Sequence, residues 1–192
     1  MDSDKGKKTA LMLRTCDKNL RSHGGFQWPE SGWAEAPDWE PTQECGNGLH
    51  GLLWGEGDAS LLAHEDLTSR WMVAEIDTDE MVDLTGKVKV RRANVVHVGT
   101  KESSTAYLYA NGGQGRSVVF GTATAGDGGT ATAGYSGTAT AGEDGVISVL
   151  WWDSSAQKYR RAVGVIGEGD LKPGVPYRLD SKGQWLEANK TD

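Results

Sequence analysis

The densest run of chemistry-bearing residues is Cys45–Gly57, CGNGLHGLLWGEG. Its glycines, set around His50 and Trp54, imply tight turns or close backbone approach, either to another strand or to a ligand. His50 reads equally as a hydrogen-bonded structural residue and as part of a binding site. Cys16, His23, Cys45 and His50 together have the softness and number to suit tetrahedral zinc. No C-x2-C or H-x3-H element ties them, however, so each would need independent placement and no metal ligand is assigned. Ser103 and Ser104 lie near no evident base in the sequence, so nucleophilic catalysis has no support. The chain has no GxxxxGK[ST] and no strand-linked GxGxxG, so its glycine richness is not a phosphate loop. A second cluster, FQWPESGWAEAPDW from Phe26 to Trp39, holds Trp28, Trp33 and Trp39. Tryptophan is common at binding hot spots, which makes this acidic loop the best recognition surface, although the rings could instead fold back as core. The candidate binding residues are therefore Trp28, Trp33, Trp39, Gly48, His50 and Trp54.

The elements that must position these residues fall in two regions. TALMLRT (Thr9–Thr15) is a strand candidate, and Phe26–Glu44 is irregular with three prolines. Asp58–Leu67 predicts a short helix with Asp58 as N-cap. Trp71–Asp77 alternates as a strand, Gly86–Val98 supplies one or two more, and Ser103–Ala110 is a helix or an edge strand. From Gly121 the chain then repeats: GTATAGDG, GTATAGYS, GTATAGED, three copies at a period of eight. The frame runs on into GVISVLWW from Gly145, and GQGRSVVF from Gly113 is a degraded upstream unit. Within each copy the period-2 alternation puts both threonines on one face and the alanine on the other. Two geometries fit. In a β-solenoid two units form a sixteen-residue coil, so that Thr122 and Thr124 stack over Thr138 and Thr140. In a meander, successive units form antiparallel hairpins. The near-identity of the units favours the solenoid. Downstream, VISVLWWD, KYRRAVGVIG and VPYRLD read as strands joined by turns, and Trp185 closes the chain as an apolar plug.

Composition bounds the rest. The 192 residues suffice for one domain or two small units. Eight tryptophans argue against disorder, and 27 glycines are about twice the usual share. No apolar run approaches the roughly 18 residues of a membrane span, and MDSDKGKKTALMLRT lacks a signal-peptide core. Two cysteines fit a reducing compartment. A cytoplasmic protein is the expectation, in the host cytoplasm if phage-encoded. The net charge of −7 is unevenly spread: from Ser22 to Gly86, fourteen acids face Arg70 alone. Such a surface is either simply solvated or faces a basic partner.

Three resemblances extend this reading. The register around Ala125-Gly126, Ala133-Gly134-Tyr135 and the threonine pairs resembles the eight- and sixteen-residue repeats of bacterial ice-nucleation proteins, which implies a β-solenoid with outward Thr-x-Thr rows. Ice activity needs long flat arrays, and three pairs split over two faces are too few, so ice binding is not expected. The whole chain is similar to a family of uncharacterised phage and bacterial proteins. These join a CGxGLHGxxWGxG head (Cys45–Gly57 here), TATAG octapeptide repeats and an IxVxWWD…YR tail (Ile147–Arg178 here). That resemblance carries no activity but implies a phage or prophage product. The order of LMLRT, GNGLH and the 58–67 segment loosely resembles ADP-ribosyltransferase-like folds, which would give Arg14 and His50 catalytic roles; the chain lacks a convincing downstream catalytic glutamate, Glu75 and Glu102 being weak candidates.

The expected protein is thus α+β and mostly β. It comprises an α+β head at residues 9–110, an octapeptide-repeat β-solenoid at 113–152 and a small β tail at 153–188 that caps the solenoid. The expected function is non-enzymatic: a phage-type protein, with counter-defence as one role, that binds and blocks or sequesters a host protein or small nucleotide ligand. It would need no cofactor, touch neither nucleic acid nor membrane directly, and self-associate as a homo-oligomer. The alternatives are an ADP-ribosyltransferase-like enzyme using NAD, and a structural virion or spacer protein.

Overall fold

The computed structural model describes residues 8–62, 66 and 68–189. The chain divides into two compact units, Met1–Tyr107 and Leu108–Asp192. It is mostly β, with one α-helix among the described residues, in keeping with the expected class.

The first unit is built on seven strands: β1 (Thr9–Cys16), β2 (Gly32–Glu35), β3 (Leu49–Leu53), β4 (Arg70–Asp77), β5 (Val82–Asp83), β6 (Val88–Val90) and β7 (Arg92–Gly99). They form one sheet in the order β2-β7-β4-β1-β3-β6-β5, every pairing antiparallel. The central strand β1 reads as an almost continuous apolar run because the sheet buries both of its faces. Met12 and Cys16 join Trp28, Met72, Ala74 and Val95 in one core cluster. Their sequence neighbours Leu11 and Leu13, which alternation points to the opposite face, are buried as well. A helix α1 (Lys101–Leu108) follows β7. Its start is a reciprocal cap: Ser103 N donates to Thr100 Oγ1 and Thr100 N donates to Ser103 Oγ.

The 58–67 helix is not found as expected. Asp58 does cap, accepting from Ser60 N at 2.9 Å, but the capped stretch is a single 3-10 turn, Ala59–Leu61. Residues 63–65 and 67 lie outside the described residues. Leu62 is already extended (φ −80°, ψ 109°), so the turn ends before a second hydrogen-bonded turn can offset nucleation.

The second unit contains β8 (Thr122–Thr124), β9 (Thr130–Tyr135), β10 (Thr138–Thr140), β11 (Val146–Asp153), β12 (Lys158–Val165), β13 (Tyr177–Leu179) and β14 (Trp185–Glu187). Strands two repeats apart pair in parallel, residue for residue at a sixteen-residue offset. Thr122, Ala123 and Thr124 lie beside Thr138, Ala139 and Thr140, and Thr130, Ala131 and Thr132 lie beside Val146, Ile147 and Ser148. The antiparallel pairing that a meander requires does not occur between the described repeats. The tail strands extend each sheet in antiparallel fashion: β12 pairs with β11, and β13 with β10, β14 lying outermost.

The period of eight is also a backbone period. Gly121, Gly129, Gly137 and Gly145 each donate their N–H to the carbonyl three residues earlier, at 3.0–3.2 Å. The residue before each of them is left-handed: Phe120 (φ 56°), Gly128 (63°), Ser136 (53°) and Asp144 (54°). The degraded unit Gly113–Phe120 therefore keeps the turn of the repeat while forming no strand. The interior is thin, with Ala123, Ala131, Ala133, Ala139 and Ala141 all buried. A Cβ on Gly137 would stand 2.8 Å from both Ala133 Cβ and Gly121 O.

Adjacent residues should therefore respond with opposite sign in urea unfolding of the full chain. Gly137→Ala is expected to destabilise by about 1–3 kcal/mol through overpacking. Ser136→Gly is expected to stabilise by about 0.5–1 kcal/mol, because a β-carbon is removed from a left-handed position.

Candidate functional site

The register of β1, β3 and β6 gathers the head's basic residues around one cavity. His50 lies opposite Lys89 across the β3–β6 ladder, and Arg14 Nη1 donates to the His50 carbonyl at 3.1 Å. The Arg14 guanidinium lies over the Trp28 ring, 4.4 Å from its centroid. Gly48 is glycine because Lys89 crosses it: a Cβ there would meet Lys89 Cγ at 2.6 Å and the Trp39 ring at 3.2 Å. Gly51 is pressed against β1 in the same way, 2.5 Å from Met12 Cγ. At these two positions the glycines of the signature serve close approach between strands and side chains of the head itself. Arg14, His50, Gly48, Cys45, His23 and Lys87 all line a cavity of about 640 Å³.

The electrostatics of this cavity are one-sided. Burial, then Lys87, Arg14 and Lys89, pushes the His50 imidazole down to about 4, so the ring is neutral at pH 7 and its Nε2 receives the Gly46 N–H at 3.4 Å. Lys87 Nζ approaches Cys45 Sγ at 3.0 Å. Lys89 is fully buried and bonds only to neutral oxygens, Glu44 O at 2.9 Å and Thr42 Oγ1 at 3.4 Å. Burial raises the Cys16 thiol, which keeps it protonated and inert. Among the described residues no group of three His, Cys, Asp or Glu could hold a metal ion.

The six expected binding residues do not form one surface. Trp28 is core at 1% exposure and edge-on to Phe26, so its ring offers no surface to a partner. Trp39 and Trp54 are partly buried and pack on the same core. Trp33, on the edge strand β2, is 63% exposed under the Arg92 guanidinium. Of the six, only Gly48 and His50 line the cavity. Two features are invisible in the sequence. Lys89 sits in KVKV, where alternation reads as a solvent-facing lysine. Ser103 does have a base nearby: His97 Nε2 is 3.0 Å from its Oγ, on a ring stacked over Tyr107. That hydroxyl is also committed to the cap of α1, of which the T-x-x-S spacing is the trace in the sequence.

Residues 10–108 match the family described as Domain of unknown function (DUF7666). The chain belongs to that family. The chain is also similar to ice nucleation proteins. It is 46% identical over 101 residues to ice nucleation protein InaU of Pantoea ananas, covering 51% of this chain and 10% of that one. It is 41% identical over 118 residues to the ice nucleation protein of Pseudomonas syringae pv. syringae, covering 60% and 10%. With the one of Xanthomonas campestris pv. translucens it shares 44% identity over 104 residues, 53% and 6%. The chain thus spans a tenth or less of the length of these curated relatives. No solved structure matches it.

These relatives correct the functional expectation. A phage-type protein that blocks or sequesters a host component is overturned, as are counter-defence and the ADP-ribosyltransferase-like alternative with Arg14 and His50 as catalytic residues. The cytoplasmic placement, drawn with that reading, is overturned with it.

The His50 environment predicts a pH response. Below about pH 6.5 the unfolded chain takes up a proton at His50 that the folded head refuses until about pH 4. Stability from this group is complete above about pH 6.5 and is lost as the pH falls toward 4. After allowance for the half-exposed ring, the loss is about 1–2 kcal/mol. Urea midpoints followed by tryptophan fluorescence from pH 7.5 to 4.5 should show a slope that His50→Gln reduces by that amount.

Proposed function

We propose that the repeat is a short β-solenoid that displays threonine rows to water and acts as an ice-interacting module. The observation that carries this reading is the parallel sixteen-residue register, which stacks like on like: Thr122 beside Thr138 and Thr124 beside Thr140. Neighbouring strands are about 4.8 Å apart and i, i+2 side chains about 6.7 Å apart, so the four threonines form a flat grid of methyls and hydroxyls on the scale of ordered water. Thr122 and Thr124 are exposed, and Thr138 and Thr140 half-buried. The similarity to proteins named for ice nucleation supports the same reading.

The opposite sheet is less suited to this role. Thr130 and Thr132 stand beside Val146 and Ser148, and Arg161 Nη1 donates to Ser148 Oγ at 2.7 Å. One grid of four threonines is small. Association of copies enlarges it, and β8, at the end of its sheet, is the strand that would meet a second copy.

The test is partition into a slowly growing ice front, together with droplet freezing over a range of concentrations. Wild type is expected to enrich in the ice and to raise the droplet freezing temperature more steeply as its concentration rises. A Thr138→Lys/Thr140→Lys double variant with unchanged circular dichroism should do neither. Partition no better than that of an inert protein of similar size, or equal partition of the variant, would overturn the proposal.

A further inference from the structure

The cavity of the first unit concentrates positive charge where the surrounding sequence is acidic. Between Ser22 and Gly86 fourteen acids face one arginine, yet Arg14 and Lys87 line this cavity and Lys89 lies just behind it. Arg91 pairs with Glu35 at 3.0 Å, and Arg160 with Asp153. Among the described residues neither cation of the cavity wall has such a carboxylate partner. Arg14 directs Nη1 to a backbone carbonyl, and its buried Nε has no hydrogen-bond partner. Lys87 reaches a thiol, and Lys89 neutral oxygens. Among the described residues Asp38 is the one carboxylate on the cavity wall, and no ion pair joins it to either cation. Desolvated cations without a counter-charge are unfavourable, as is an orphaned buried N–H. An acidic head that keeps both in one cavity is built to receive the missing charge from outside.

The rest of the wall tells what the anion is attached to. Phe26, Pro37, Leu49, Leu52, Leu61 and Leu62 line the same space. A volume of about 640 Å³ falls in the range of small-molecule sites. We propose that this cavity binds a small organic anion, an apolar or aromatic body whose phosphate or carboxylate is held by Arg14 and Lys87. The Arg14 guanidinium supplies a delocalised charge on the wall, and Lys87 adds a point charge from the strand edge. His50 lines the same wall as a neutral hydrogen-bonding group. Burial keeps it neutral, and the nearby Lys87, Arg14 and Lys89 add to that; an arriving anion offsets their share and so favours its protonation.

This inference rests on the head alone and stands or falls separately from the reading of the repeat. The experiment is calorimetric titration of the full-length chain at pH 7 and low salt with phenyl phosphate, benzoate and inorganic phosphate. The His50 ring is followed in parallel by NMR. At least one organic probe is expected to saturate and to bind about tenfold more tightly than inorganic phosphate; which one does so distinguishes a phosphate from a carboxylate ligand. Lys87→Gln should weaken it about tenfold, and the His50 titration should move to higher pH in the complex. Arg14→Lys should weaken it as well, and Lys87→Gln, at a half-buried strand edge, decides the matter if the arginine variant fails to fold. No saturable binding of either organic probe, binding unchanged in Lys87→Gln, or an unmoved His50 titration would overturn the proposal.

Discussion

The distance between the two repeat sheets is the constraint on which the second unit depends. Sheets that pack through ordinary aliphatic side chains lie about 10 Å apart, but Ala123, Ala131, Ala133, Ala139 and Ala141 contribute only methyl groups between these two. The backbone at each turn then runs against the preceding alanine, as the 2.7 Å from a Cβ on Gly145 to Ala141 Cβ shows. Only glycine fits there, only a left-handed residue fits before it, and only small residues fit inside. These requirements recur every eight residues because the chain meets the same steric problem at each turn. The threonines are the positions left over: they lie on the outer faces, exposed at Thr122, Thr124 and Thr130 and half-buried at Thr132, Thr138 and Thr140, and are stacked because everything else is.

The interior does not stay thin. It widens from alanine through Ile147 and Val149 to Tyr177 and Trp185, which meet edge-to-face at 6.5 Å. The widening coincides with the change from parallel repeat strands to antiparallel tail strands. A coil of alanine alone buries little apolar surface per residue, and the aliphatic and aromatic end supplies what the repeats lack. On the outer side, Phe120, Tyr135, Tyr159 and Trp152 form a chain of edge-to-face rings at 5.0–6.0 Å that ties the degraded first unit to the β11–β12 hairpin.

How much could be read from the sequence depended on how local the physics was. The octapeptide period, its Thr/Ala alternation and its turns are set by neighbours within eight residues, and they are found in the structure where expected. β1 and β4 were equally plain, since their apolar runs leave no other reading. The helix at 58–67 failed because a good cap at Asp58 starts a helix but does not sustain one. The tryptophans defeated the sequence for the opposite reason. Trp28 and Trp33 stand five residues apart in the same acidic loop, yet one is core and the other solvent-exposed, and the difference is made by β1 and β7, which are far away in the chain. Lys89 is the extreme case. Its burial comes from the Cys45–Gly48 loop folding over β6, a long-range event that no alternation pattern records. His50 was singled out for its glycines, and the cavity does include it, but Arg14, Lys87 and the orphaned guanidinium nitrogen come together only through strand pairing.

Array size separates what one such coil can do from what many can. The barrier to forming an ice embryo falls as the templating area grows, whereas adsorption to ice that already exists needs only a patch that matches locally. The relatives named for ice nucleation are about ten or more times longer than the stretch they share with this chain. In this chain the register sets four threonines on one sheet, two from each of the paired strands β8 and β10. Every further coil would add one more threonine pair to each row, with the same alanine interior and the same left-handed turn. The design lengthens without new packing problems because each coil contacts only its neighbours. In this chain the alanine interior gives way at Ile147 and Val149, which lie beside Ala131 and Ala133 across the β9–β11 ladder.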